Sequence, residues 1–327
     1  MDIQRIEETI YRIPIPVPFP MKYVFCYLFK EENGWTVVDT GLNYSEAREA
    51  WTAAFAEIGV KPALIQKIYL THFHPDHFGL AGWLQEQTEA DVYISQKDFQ
   101  MAHRVWSRES VQAEEIMEMC QRHGMPADLS EQIKKQMNQL HRHVLPLPKL
   151  TVLQEAKVTL GGYLWEVIST PGHSDGLVCF YQPEKRLLLA ADHVLDKITP
   201  NISLWPGASV NPLQDYFDSL QKIRFLDVNK TLPAHGHMID HLSQRVQEII
   251  DHHHSRLKEM SALAKDGCTA YEVAQKVFSH KKLNAHQWRF AMAETLAHLE
   301  FLVSTGELTK VNGRTAVQYM APSPIGT

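Results

Sequence analysis

Three histidines and an aspartate are concentrated in six positions of one short stretch. It reads T-H-F-H-P-D-H at 71–77 and contains His72, His74, Asp76 and His77 directly after an apolar run. His72 and His74 alternate along an extended segment, so both side chains point to one side, and Pro75 keeps His74 out of helical geometry. Imidazoles and a carboxylate are ligands of zinc, iron or manganese, and the lack of a nearby thiolate argues against a closed structural zinc site. The stretch predicts a metal site with an open position for water.

Further candidate ligands follow other apolar runs. His173 lies in P-G-H-S, Asp192 ends L-L-L-A-A-D, and His235 lies in P-A-H-G-H. A lone H-x-H motif is more often a surface feature than a metal site, but each additional residue lies on a loop at a strand end, where active sites of layered folds are commonly built. The combination therefore favours metal ligation. His193 and His237 flank these residues, and two interpretations stay open: they orient the substrate or protonate a leaving group, or they are exposed histidines without a role.

The strands and helices that carry these residues form two similar series along the sequence. Alternating and β-branched segments predict strands, and apolar residues at i, i+3, i+4 and i+7 predict helices. From about residue 158 onward strands dominate again, and Asn211-Pro212 starts a further helix. Strand runs interrupted twice by helices predict two facing sheets with helices outside, an α/β fold of the αββα sandwich type. In the first series the predicted strands are 23–29, 35–41, 67–71 and 91–95, and the predicted helices are 45–58 and 78–87.

Two segments fall outside this repeat. Residues 97–148 are helical in pattern and form an insertion, and residues 241–327 form an appended domain, which leaves 1–240 as the catalytic domain. Methionine adapts to irregular pockets, so the insertion is either a lid that lines an acyl pocket or a packing element. It holds five of the chain's 11 methionines, namely Met101, Met117, Met119, Met125 and Met137.

Composition excludes several classes of partner. The 327 residues carry a formal charge of -6, which leaves no overall electrostatic footprint for nucleic acid or an anionic membrane. The N-terminal stretch has no continuous apolar core of a signal peptide, and no segment approaches the ~20 apolar residues of a membrane span. The four cysteines are far apart, without a C-x-x-C pair, which predicts neither disulfides nor a zinc ribbon. We expect a cytoplasmic protein without a membrane partner.

Five motifs together resemble the metallo-β-lactamase fold hydrolases. They are V-D-T-G at 38–41, T-H-F-H-P-D-H at 71–77, P-G-H-S at 171–174, A-D-H at 191–193 and P-A-H-G-H at 233–237. The resemblance implies two divalent metal ions, with zinc as the first expectation and iron or manganese as alternatives. It also implies that Asp39 accepts a hydrogen bond from a ligand imidazole, and Asp39 and Asp76 are the carboxylates assigned to catalysis. The implied ligand sets are His72, His74 and His173 for one ion, Asp76, His77 and His235 for the other, and Asp192 as the bridge.

The β-lactamases proper carry a cysteine where this chain has Asp192, so the resemblance points to the glyoxalase II-like and nuclease-like branches instead. The C-terminal region resembles the winged-helix appendage of β-lactamase-like hydrolases, a group that includes endoribonucleases. Thr269 caps one of its predicted helices, and a second helix runs to Gly306 before a two-stranded wing. Residues 251–314 hold nine Lys or Arg against seven Asp or Glu, a weak surplus for tracking phosphates. We expect the appendage to border the active-site mouth or to form a homodimer contact.

Two ions ~3.5 to 4 Å apart lower the pKa of a shared water to about 7 and polarise a substrate oxygen. The leading hypothesis is a dinuclear metal-dependent hydrolase that uses a metal-bridging hydroxide on an ester, thioester or similar small acyl substrate. A metal-dependent endoribonuclease is the alternative, and a non-catalytic winged-helix binding protein is a third. A small acyl molecule is a better match than RNA for the acidic balance of the chain.

Overall fold

Two β-sheets face each other in the computed structural model, which describes residues 2–323. In each sheet the strands lie side by side in chain order, seven in the first sheet and five in the second. The first sheet consists of β1 (Gln4–Glu7), β2 (Ile10–Pro16), β3 (Tyr23–Glu31), β4 (Gly34–Val38), β5 (Ile65–Tyr69), β6 (Asp91–Ser95) and β7 (Leu150–Leu153). The second consists of β8 (Lys157–Leu160), β9 (Tyr163–Ser169), β10 (Val178–Gln182), β11 (Leu187–Ala191) and β12 (Lys230–Pro233).

The core between the sheets is built from alternating strand residues. Phe29 and Trp165, one from each sheet, are both fully buried and meet edge to face with ring centroids 5.7 Å apart. Because successive side chains of a strand point to opposite faces, the other face of each sheet must be covered by helices. The predicted αββα sandwich is confirmed.

Helices cover both outer faces. On the first sheet lie α1 (Ser45–Ile58), the short α2 (Pro75–Phe78), α3 (Ala81–Thr88) and α4 (Gln96–Trp106); on the second lie α7 (Pro212–Arg224) and α8 (Leu242–Ala264). Two of the helix ends predicted from the sequence are present. Gly59 ends α1 in the left-handed conformation, and the Asn211 side chain accepts a hydrogen bond from Gln214 N before α7.

The helical insertion contains α4, α5 (Gln112–Arg122) and α6 (Ala127–Leu140). Four of its five methionines, all except Met117, divide between two environments. Met125 is buried in one core with the C-terminal helices, and Met119 and Met137 pack against that core. Met101 instead lines a small cavity next to His173. For three of the five methionines, the packing alternative is the better description.

The C-terminal region adds α9 (Ala270–Val277), α10 (Ala285–Ser304) and a ribbon of β13 (Thr309–Asn312) and β14 (Val317–Met320). The Thr269 cap is present, with a reciprocal bond from Glu272. This region shares a continuous core with the insertion and the second sheet. The predicted division at 240/241 stays a prediction. The winged-helix assignment stays a prediction, and residues 324–327 of the predicted domain lie outside the described residues. Over residues 2–323, no helix combines the length and apolar character needed to cross a membrane.

Candidate metal centre

The predicted ligands meet at one edge of the sandwich because each follows the carboxyl end of a strand. Asp39 follows β4, the 71–77 stretch follows β5, and His173 follows β9. Asp192 directly follows β11, and His235 follows β12. Gly172 sets the turn before His173 at a φ of 139°, and a Cβ there would lie 2.5 Å from the Tyr216 Cβ. Only glycine allows this close approach of the loop to α7.

The seven side chains form two adjoining groups. In each group the potential ligand atoms all lie within 4.8 Å of one another. The first group is His72, His74 and His173, and the second is Asp76, His77, Asp192 and His235. This division matches the one implied by the sequence resemblance.

Asp192 belongs to the second group and also contacts the first. Its Oδ2 lies 3.4 Å from His173 Nε2 and 3.5 Å from His77 Nε2. Its Oδ1 lies 3.5 Å from His235 Nε2. A carboxylate in this position can reach ions held by either group, which is the geometry required of a bridging ligand.

Hydrogen bonds at Nδ1 fix the orientation of four of the five imidazoles. When Nδ1 carries the proton and donates it outward, the Nε2 lone pair faces the centre. His74 is the exception, because its Nδ1 lies 2.9 Å from His173 Nε2 and faces inward. The Nδ1 acceptors are Thr71 Oγ1 for His72 at 3.0 Å, Asp39 Oδ2 for His77 at 2.8 Å, Asn201 O for His173 at 2.9 Å and Tyr23 O for His235 at 2.8 Å.

Unsatisfied buried atoms test whether the centre suits metal ions. Asp192 Oδ1 and the Nε2 atoms of His72, His77 and His235 are shielded from solvent and have no hydrogen-bond partner. Buried polar atoms of native proteins are almost always paired, so several orphans that face one point indicate missing ligand bonds. Nitrogen and oxygen donors without a thiolate suit zinc, iron or manganese, and the residues present fit two such ions.

The electrostatics of the two groups differ. Burial, reinforced by the imidazoles of His77 and His74, lowers the pKa of His72 well below its usual value. Burial also lowers the pKa of His74, and neutral imidazoles are the form that binds metal. At His77 burial acts in the same direction, but the carboxylates of Asp39 and Asp192 outweigh it and raise the pKa. The second group thus carries the negative charge of the centre.

The Asp39 carboxylate orients the ligand candidate His77 and also fixes the 71–77 loop. Besides accepting from His77, its carboxylate accepts from Thr71 N at 2.8 Å and from Thr71 Oγ1. Because Thr71 Oγ1 is the acceptor for His72, one carboxylate orients an imidazole of each group. Asp39 itself has a φ of 61°, a sparsely populated conformation for a residue other than glycine. The expected hydrogen bond from a ligand imidazole to Asp39 is present.

Asp98, which we did not single out from the sequence, ties two ligand loops together. The carboxylate is fully buried at the start of α4. It accepts from Phe73 N at 3.0 Å, from Ser174 Oγ at 2.7 Å and from Gly176 N at 2.8 Å. Phe73 lies between His72 and His74, and Ser174 follows His173. Asp98 lies on α4, 25 residues beyond Phe73, so the sequence around it does not indicate this contact.

Arg12 fixes the loop of His235 in a similar way. Its guanidinium is buried, donates to Gly236 O at 2.7 Å and to Pro233 O at 3.3 Å, and stacks on Phe25. Both carbonyls flank His235. An arginine inside an otherwise apolar strand, I-Y-R-I-P-I-P, was the available sequence signal.

The two flanking histidines take different positions. His193 is fully buried against Tyr216, and burial lowers its pKa to about 3. It is therefore not one of the exposed histidines that the sequence left open as having no role. His237 is 81% exposed and lies 3.0 Å from Asp196 Oδ2, so its imidazole is open to solvent beside the centre.

The C-terminal region contributes to the centre through α10. Asn201, whose carbonyl is the acceptor for His173, donates from its side chain to Glu294 Oε2 at 3.0 Å. Leu204 N also donates to Ala293 O at 3.0 Å, which attaches the same loop to the same helix. A ligand of the first group is thus held in place by a helix far along the chain from it.

We expect Glu294→Ala to weaken metal binding at the first group by about 10- to 100-fold, because Asn201 loses the bond that fixes its carbonyl. The measurement is a competition titration of metal against a chromophoric chelator. Glu294→Gln, which keeps an acceptor oxygen for Asn201, is the matched control and should lose less. Equal metal affinity in Glu294→Ala and the unchanged protein would contradict the role.

Comparison with known proteins decides the family. The profile described as "Metallo-beta-lactamase superfamily" matches residues 20–235, which include both ligand groups. The chain belongs to this superfamily. A second profile, "Metallo-beta-lactamase-like, C-terminal domain", matches residues 257–321. The chain is accordingly a hydrolase of the metallo-beta-lactamase superfamily with the C-terminal domain that accompanies part of it.

Two relatives match over nearly their full length. The "Probable metallo-hydrolase YqjP" of Bacillus subtilis is 26% identical over 313 residues, which are 92% of this chain and 94% of that protein. The crystal structure of the metallo-beta-lactamase family protein TTHA1429 from Thermus thermophilus has a TM-score of 0.87 and 32% identity, and the match covers 97% of this chain and 100% of that one. A shorter match, to an "Atrochrysone carboxyl ACP thioesterase" of Aspergillus fumigatus, is 29% identical over 116 residues, 35% of this chain and 34% of that protein.

Proposed function

We propose that the protein is a dinuclear metal-dependent hydrolase of small acyl esters or thioesters. The observation that carries the proposal is the pair of adjoining ligand groups, whose nitrogen and oxygen donors suit two ions that activate water. A cavity of about 10 Å³, room for one water molecule, adjoins the first group, and it is lined by Phe73, Met101, Trp205 and Ala208 together with Gly172, His173, Ser174, Asp175 and Ser203. The apolar side chains on this side of the centre suit contact with a small acyl group better than with a charged, extended polymer. The thioesterase among the relatives supports the same class of substrate.

The chain's own residues prepare the reaction. When bound, the two ions supply an activated water and polarise the substrate oxygen. Asp192 lies between the groups and sets their separation, and Asp39 keeps His77 in the tautomer that presents Nε2. The apolar side chains beside the first group exclude bulk water from one side and orient the acyl chain. We assign to His237, which is exposed and held by Asp196, the role of giving a proton to the leaving group.

A substrate panel tests the proposal. The metal-loaded protein is assayed against acyl esters, acyl thioesters, lactones and single-stranded RNA, with and without a chelator. We expect ester or thioester hydrolysis that is lost on chelation and restored by Zn²⁺, Fe²⁺ or Mn²⁺. His72→Ala, which removes a ligand candidate of the first group, is the matched negative control.

Endonuclease activity is the outcome that would replace the proposal. Cleavage of RNA that depends on metal and falls steeply with salt, without acyl turnover, would assign the chain to the nuclease alternative. The near balance of charge in residues 251–314 opposes that result.

A further inference from the structure

The first two turns of α10 bring a cation and aromatic rings to the side of the metal centre. His286, Arg289 and Phe290 are spaced i, i+3 and i+4, so they share one face of the helix. Trp205 packs on Phe290 with ring centroids 6.0 Å apart, and Phe19 stacks on His286 at 5.8 Å with an interplanar angle of 9°. We name these five residues the α10 cluster.

Two observations place the α10 cluster next to the ligands. Trp205 borders the same apolar cavity as His173. In addition, Asn201, whose carbonyl accepts from His173 Nδ1, donates from its side chain to Glu294, which lies one turn beyond Phe290 on α10. The cluster therefore lies beside the first group, on the side of the C-terminal region.

Arg289 lacks the partners that a guanidinium normally has in such surroundings. It lies 4.4 Å from the Phe290 ring centroid and 5.6 Å from that of Trp205, and burial lowers its pKa to about 10. Its Nε is shielded from solvent and has no hydrogen-bond partner. Within residues 2–323, no carboxylate approaches it within ion-pair distance, whereas Arg256 pairs with Glu259 at 2.8 Å.

A partly desolvated cation without an anion is unfavourable, and the planar fork of a guanidinium matches a carboxylate or a phosphate. We propose that the α10 cluster binds an anionic group of the substrate, a carboxylate or a phosphate, at a distance from the bond that is hydrolysed. The rings of Trp205 and Phe290 hold the guanidinium in place for that contact. The imidazole of His286, one turn earlier on the same face of α10, offers a second donor. This inference rests on the proposed acyl hydrolase activity and narrows its substrates to anionic acyl compounds.

Pairs of substrates that differ only in charge test the proposal. In one arm, the succinyl thioester of pantetheine is compared with the succinamoyl thioester, so that a carboxylate in the acyl group is replaced by a neutral amide. In the other arm, acetyl-4′-phosphopantetheine is compared with acetyl-pantetheine, so that a phosphate in the leaving group is removed. The arm with the larger preference identifies the source of the anion.

We expect Arg289→Met to lower kcat/KM for the anionic member of one pair by about 10- to 100-fold, mainly through KM, and to leave the neutral member unchanged. Arg289→Lys keeps the positive charge but loses the planar fork of the guanidinium. Its kcat/KM for the anionic member should lie between the values for the unchanged protein and for Arg289→Met. Arg224→Met is the matched control. Arg224 also stacks on an aromatic ring, at 5.4 Å from Phe225, and also has an unpartnered Nε, but it lies in the last turn of α7, away from the ligand loops.

The outcomes separate this inference from the function on which it rests. Hydrolysis of all four thioesters without preference for the anionic members, or equal losses on both members of each pair in Arg289→Met, would overturn the anion site and leave the acyl hydrolase intact. No turnover of any thioester or ester by the metal-loaded protein would overturn both. A folded Arg289→Lys variant keeps the test valid if Arg289→Met does not fold.

Discussion

Asp192→Ala is expected to abolish turnover and to weaken the binding of both metal ions. The carboxylate lies 3.4 Å from His173 Nε2 in the first group and 3.5 Å from both His77 Nε2 and His235 Nε2 in the second. Its removal takes a ligand from each ion and leaves buried imidazoles without the charge that balances them. Other single ligands serve one ion, so their loss should spare the other. The measurements are metal content after dialysis and the rate on the best substrate of the panel.

Asp196→Ala is the matched control for Asp192→Ala. It removes a carboxylate further along the same loop, where the partner is the exposed His237 rather than a ligand candidate. We expect normal metal content in Asp196→Ala. If Asp192→Ala kept full metal content, or lost one ion while the other stayed tightly bound, Asp192 would not be a bridging ligand.

Asp98→Ala is expected to destabilise the fold by about 3 to 5 kcal/mol, because it leaves Phe73 N, Gly176 N and Ser174 Oγ without their buried acceptor. Asp98 also joins the loop of His72 and His74 to the loop of His173, so the affinity of the first group for metal should fall as well. Urea unfolding of the metal-free protein gives the first quantity. Lys97→Ala, on the same turn but exposed, is the control and should be close to neutral.

The same carboxylate gives a pH signature. Burial raises the pKa of Asp98 from 3.8 to about 6, against the opposing effect of its three hydrogen bonds. A group that binds its proton more tightly when folded stabilises the protein below the unfolded pKa, and this contribution is lost as the pH rises through the folded pKa. Asparagine does not titrate, so the stability deficit of Asp98→Asn should be larger at about pH 4 than at about pH 7. A deficit that grows with pH would contradict a raised pKa at this position.

The predictable part of the site is the part encoded by short-range pattern. Each ligand candidate follows an apolar strand, and the carboxyl ends of those strands meet at one edge, so His72, His173, Asp192 and His235 could be grouped before any coordinates. The hydrogen bond to Asp39 followed from the family resemblance carried by the same motifs. The residues that hold the ligand loops in place could not be predicted, because they contact residues that lie far away along the chain. Glu294 reaches Asn201 over 93 residues, and Arg12 reaches Gly236 over 224.

The polar or apolar character of a segment also predicts burial wrongly where tertiary packing determines it. The run His252-His253-His254 cannot put three imidazoles on one face of a helix, and its polar character predicts exposure. In the structure His253 is buried instead, 3.1 Å from His298 on α10, because α8 lies between the second sheet and the C-terminal helices. The methionines of the insertion likewise cannot be divided into lid and packing residues without knowing that α6 lies against α10.

The central claim is that the two ligand groups hold two metal ions, and metal stoichiometry tests it most directly. The metal-free protein is titrated with Zn²⁺, dialysed, and analysed for bound metal per chain, with His74→Ala and His235→Ala as probes of the first and second groups. We expect about two ions per chain, and about one tightly bound ion in each variant. Saturation of the unchanged protein at one ion per chain, or at none, would contradict the claim.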